Sequence, residues 1–105
     1  MSAPARTPKP PYYAVIFTSM RNDGDNDYQN TAERMLELAS RQPGFLGFET
    51  AREHIGISVS YWASEEEIKA WKSNIEHLAA QQRGQQKWYR WYRVRVCRVE
   101  REYGS

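Results

Sequence analysis

Ser60-Tyr61-Trp62-Ala63-Ser64-Glu65-Glu66-Glu67-Ile68-Lys69-Ala70-Trp71 is the stretch on which the fold turns. Its first residues close a strand, since Ile55, Ile57, Val59 and Tyr61 alternate with Gly56, Ser58, Ser60 and Trp62. Ser64 with Glu67 then spells a capping box, in which hydroxyl and carboxylate satisfy the free N–H groups that open a helix. That helix carries Ile68, Trp71, Ile75, Leu78 and Ala79 on one stripe and fades at Gln81-Gln82-Arg83-Gly84. Upstream, Phe45 to Arg52 is a strand joined to Ile55–Ala63 across Glu53-His54, an antiparallel hairpin.

Working outward, Pro43-Gly44 ends an earlier helix whose apolar positions are Tyr28, Ala32, Met35 and Ala39, with Leu36 alongside. The Arg21–Asp27 cluster before it supplies turn and capping residues. Tyr12 to Met20 is apolar on both alternations, as a central strand covered on two faces would be. Trp88 to Glu102 is a long last strand whose apolar phase switches near Val96, which a bulge or a second burying partner would explain. The order β-α-β-β-α-β is the split βαβ of ferredoxin-like α+β folds, a four-stranded antiparallel sheet with two helices on one face. The other face then needs cover, most simply a second copy of the chain.

Length and composition bound the rest. One hundred and five residues form one domain, expected over residues 12–102 between a proline-rich lead-in (1–11) and a short tail (103–105). Such a chain buries about two thirds of its unfolded surface. Fifteen Lys and Arg against 13 Asp and Glu give a net charge of +2, too little for a nucleic-acid or membrane footprint. The 14 aromatic residues argue against disorder. Cys97 alone forms no internal disulfide, and there is neither a membrane-length apolar run nor a signal-peptide core, so a reducing cytoplasm is the expected location.

Ser60 to Glu66, Trp71-Lys72, Glu76-His77, Ala80-Gln81, Gly84, Trp88-Tyr89 and Arg95 to Arg101 together resemble the antibiotic biosynthesis monooxygenase (ABM) domain, of the dimeric α/β-barrel superfamily. The match runs from about Tyr12 to Arg101 and is especially similar to small stand-alone bacterial ABM proteins with the Gln42–Gly47 and Ser60–His77 blocks. The resemblance implies a homodimer with sheets packed face to face and a pocket in each subunit between helices and sheet. It also implies cofactor-independent oxygenation of a small phenolic or quinol-like molecule, or, in one branch, haem binding and degradation.

His77 is the candidate base, an imidazole able to take a phenolic proton near neutral pH. At about 100° per residue from Ile68 it falls roughly 150° from the centre of the apolar stripe, so a site role requires a bend near Asn74 or a rim position. Trp71 and Trp62 are candidate walls, Tyr13 and Phe17 candidate floor, and core packing is the competing reading of each. The remaining aromatics near these segments suit a pocket or a subunit interface equally. The haem branch is disfavoured because its strand-1 Asn has no counterpart in Ala14–Thr18 and Gln81 stands nearest its ligating His. His54, His77 and Cys97 lack metal-ligand spacing. An RNA-recognition reading of Gly44–Phe48 fails, since the motif sits on the second strand and Phe45 and Phe48, three apart, should face opposite ways. Glu100 and Glu102 interrupt the Arg90–Arg101 series, as expected for a solvated edge or intersubunit salt bridges.

Overall fold

The structure, a computed structural model, describes residues 3–22, 28–81 and 88–105, with the backbone alone for residues 77–81. The element order is β1 (Tyr12–Arg21), α1 (Tyr28–Ser40), β2 (Phe45–Arg52), β3 (Gly56–Trp62), α2 (Glu65–Gln81) and β4 (Tyr89–Val99). All strand pairs are antiparallel in the order β2-β3-β1-β4, the expected ferredoxin-like sheet with β1 central. The candidate capping residues of α1, Asp23–Asp27, lie outside the described residues.

Half of the capping box forms as the sequence dictates: the Glu67 N–H donates to Ser64 Oγ at 3.3 Å. The Glu67 carboxylate instead lies against Gly44, where a Cβ would sit 0.9 Å from Oε2. Gly44 has φ +82°, a conformation that glycine adopts without steric cost. Its carbonyl accepts from the Ala63 N–H at 2.8 Å, tying the start of β2 to the strand-to-helix junction.

Cross-strand partners share a face, so the register assigns the two sides of the sheet. Tyr13, Val15, Phe17 and Ser19 of β1 stand with Trp62, Ser60, Ser58 and Gly56 of β3. This is the helix side, because Trp62 stacks on Trp71 of α2 with ring centroids 6.2 Å apart. The apolar set of β3, Ile57, Val59 and Tyr61, therefore points away from the helices, together with Ile16 and Thr18. Ile57 remains 47% exposed there. The polar set is accommodated under the helices by its own partners: Ser58 shares a hydrogen bond with Thr50 at 2.8 Å, and Ser60 accepts from the Trp62 indole at 3.0 Å.

Three sequence expectations are corrected. The irregularity in β4 is not near Val96: pairing with β1 is continuous from Val99 to Trp91 and shifts at Met20/Arg21, opposite Tyr89. Val94 and Val96 hence line the helix side and Cys97 and Val99 the far side, so the apolar phase does switch after Val96, but in an unbroken ladder with no bulge there. A second shift, between Phe45 and Gly47, brings Phe45 and Phe48 to the same side, opposite Trp62 and Ser60; these rings turn under the helices, not to an open stacking face. In α1 it is Thr31 that is buried with Ala39, while Leu36 is 38% exposed.

On the far side, the Ala5 N–H donates to Glu49 at 2.9 Å and the Tyr61 hydroxyl donates to the same carboxylate at 2.5 Å. These bonds, Tyr61's first, hold the Glu49 carboxyl below its ordinary value. Burial and then Glu49 push Tyr61 up to about 12. The lead-in thus touches the sheet at Gly47, where an added Cβ would come within 2.8 Å of Ala5.

Candidate functional site

α1 approaches the sheet at β2 and α2 at β3. The helix side of β1 and β4 is left as a half-open strip, with Tyr92 42%, Val94 48% and Val96 50% exposed. A β-strand row of Val and aromatic residues half open to water is the surface a flat apolar ligand covers with most gain.

Four of the five sequence-predicted residues lie on this side of the sheet. Trp62 is fully buried, edge-on to Phe45 at 5.5 Å and stacked on the half-buried Trp71, so α2's first turns are pinned to the end of β3. Tyr13 pairs with Trp62 across β1 and β3. Phe17 lies two pleats farther along β1, with Tyr92 stacked at 5.6 Å and Tyr89 edge-on at 5.2 Å. Trp62, with no exposed surface, packs as core, Trp71 stands over it half-buried, and Tyr13, Val15 and Phe17 follow along the same side of β1. His77, the fifth, falls on the last turns of α2, and its side chain lies outside the described residues. His54 is exposed in the β2–β3 turn and Cys97 is an exposed free thiol on the far side. Among the described residues no three His, Cys, Asp or Glu gather as a metal site.

The end of this side beyond Phe17 is polar. The Tyr89 hydroxyl donates to Tyr28 at 3.2 Å, and burial first, then this bond, raise the Tyr89 pKa far above a free phenol's. Arg21 sits 3.8 Å above the Tyr28 ring. Arg52 crosses from β2 to donate to the buried Ser19 hydroxyl. The sequence marks neither Arg52 nor Ser19, because an Arg at a strand end and a Ser in a strand are ordinary until the register joins them. A shallow depression at the end of β4, lined by Arg98, Val99, Glu100 and Arg101, contains none of the aromatic residues.

No helix among the described residues is long and apolar enough to cross a membrane. SnoaB, a cofactor-independent oxygenase from Streptomyces nogalater, superposes in a variant form with a TM-score of 0.74, at 10% identity over 91% of this chain and all of that one. PA3566 from Pseudomonas aeruginosa gives 0.65 at 14% identity, over 90% of this chain and 98% of that one. At those identities the likeness concerns the fold. YqjZ, an uncharacterized protein of Bacillus subtilis (strain 168), is 51% identical over 100 residues, covering 93% of this chain and 88% of that one. With the antibiotic biosynthesis monooxygenase family model matching residues 11–83, the chain belongs to that family.

Proposed function

We propose that the protein is a cofactor-independent oxygenase of a small aromatic, phenolic or quinol-like molecule held in the trough between helices and sheet. One observation carries this reading: the Trp62–Trp71 stack stands on the same side of the sheet as Tyr13 and Phe17, beside a strand left open at Val94 and Val96. Aromatic walls and floor on one side suit a planar ring. The solved neighbour described as a cofactor-independent oxygenase points to the same chemistry.

The chemistry asks little of the protein. The trough removes water from around the ring, and a base, for which His77 is the candidate, takes the acidic proton. The resulting anion is electron-rich and gives an electron to O2. The radical pair combines to a C–O bond as a hydroperoxide, and loss of water leaves a carbonyl. One oxygen atom ends on carbon, the other in water with the two displaced hydrogens, and the substrate carbon supplies all four electrons that reduce O2, so no redox cofactor enters the balance.

Proteins of this family are typically dimeric. We extend that to a homodimer here, the second copy covering the far side of the sheet at Ile57, Val59 and Ile16, whose apolar alternation is otherwise turned to water. Light scattering should return twice the 12.4 kDa chain mass; a monomer at micromolar concentration removes the dimer.

The function itself is tested by oxygen electrode with the purified protein and a panel of anthrones and quinols. The expected result is substrate-dependent O2 consumption above the buffer rate, with product one oxygen heavier and two hydrogens lighter. Ring binding without uptake across the panel would make the protein a binding domain.

A further inference from the structure

We propose that Arg52, laid across Gly56 onto Ser19, is an anion seat at the polar end of the trough, and that the ring ligand carries an anionic oxygen, a carboxylate or a phenolate, which this guanidinium binds. The inference rests on the trough being the ring site.

Arg52, Gly56, Ser19 and Tyr92 form one row across all four strands on the helix side. Gly56 has no side chain in that row, and this is what lets the arginine cross: a Cβ there would lie 2.1 Å from the guanidinium carbon. The guanidinium ends on the hydroxyl of Ser19, which is 0% exposed, with the Tyr28 ring centroid 6.0 Å away. A guanidinium carries five N–H donors, and neither a hydroxyl nor a ring face neutralises its charge. Among the described residues no carboxylate pairs with it. Glu49, on its own strand, is on the opposite face with Tyr61 and Ala5, and Glu53 is exposed in the following turn.

A half-buried, hydroxyl-anchored guanidinium without a counter-ion among the described residues attracts an anionic oxygen more strongly than a solvated surface arginine does. Its position matches the ring site. Ser19 is one pleat beyond Phe17, roughly 7 Å along the strand. A ring resting on Phe17 and Val94 therefore brings a carboxylate or phenolate substituent within reach of Arg52. The protonated Tyr89 hydroxyl adds no negative charge at that end.

Calorimetric titration with 1-naphthoate and with its neutral counterpart 1-naphthalenemethanol tests this, and 2-naphthol near and above its pKa separates phenolate from carboxylate. The wild-type protein should bind naphthoate roughly ten-fold or more tighter than the alcohol. Arg52→Gln should erase that preference by weakening naphthoate alone, and Arg52→Lys should restore part of it. Equal affinity for acid and alcohol in the wild type, a parallel loss of both in Arg52→Gln, or naphthoate binding untouched by Arg52→Gln overturns the anion seat while leaving the ring site standing. Failure of every ring compound to bind overturns the ring site and the anion seat together. The wild-type comparison stands even if Arg52→Gln does not fold.

Discussion

Trp62→Ala should lower the unfolding free energy by about 3–5 kcal/mol, the range for emptying a large buried aromatic position. Trp62 is fully enclosed, edge-on to Phe45, stacked on Trp71 and hydrogen-bonded through its indole to Ser60. Truncation opens a cavity where β2, β3 and α2 meet and leaves the Ser60 hydroxyl without its donor. A domain of this size has roughly 5–15 kcal/mol to lose, so the variant should unfold at far lower urea concentration and α2 should loosen from the sheet. Trp62→Phe keeps a ring against Phe45 and Trp71 and should lose clearly less. A loss below about 1 kcal/mol in Trp62→Ala would mean that the Trp62–Trp71 stack does not anchor α2.

His77→Ala should slow substrate-dependent O2 uptake by about 100-fold with the fold intact, the lower end of what a positioned general base contributes. His77 is six residues beyond Trp71 on the same helix, roughly 9 Å along its axis, and its side chain lies outside the described residues. The wild-type rate should fall as pH drops through the imidazole range, because only the neutral ring accepts a proton; in the variant that acid limb should vanish. An unchanged rate and pH profile would transfer the base role to another group.

Much of the fold was legible because its signals are local. The alternation of β3, the Ser64 cap and the Trp71 stripe each occupy a few consecutive residues, and their order specifies the ferredoxin-like sheet. Tyr13 and Phe17 were legible together because they share a face of β1, and Trp71 because it lies on the apolar stripe of α2, whereas Trp62 alternates with the polar set of β3 and only register and its stack on Trp71 bring it to their side. What was not legible depends on register between distant strands. The shift at Leu46 reverses the expected orientation of Phe48 relative to Phe45, and nothing in Phe45-Leu46-Gly47-Phe48 alone marks which residue leaves the ladder. The Arg52–Gly56–Ser19 row likewise exists only once β2 is aligned with β3 and β3 with β1. β3 is instructive for another reason: its apolar alternation reads as the core face, yet it points to the far side, because the space under the helices is filled by Trp62 and by hydroxyls that satisfy one another. A sheet apolar on the side its own helices leave bare is what a shared core requires.

A crystal structure of the protein soaked with a quinol or naphthoate would show whether a ring binds on the helix side of the sheet. The ring is expected over Tyr13, Val15 and Phe17, between the Trp62–Trp71 stack and the Arg52 end. A ring bound instead on the Ile57–Val59 face, or in the Arg98–Arg101 depression with the trough closed, would contradict that placement.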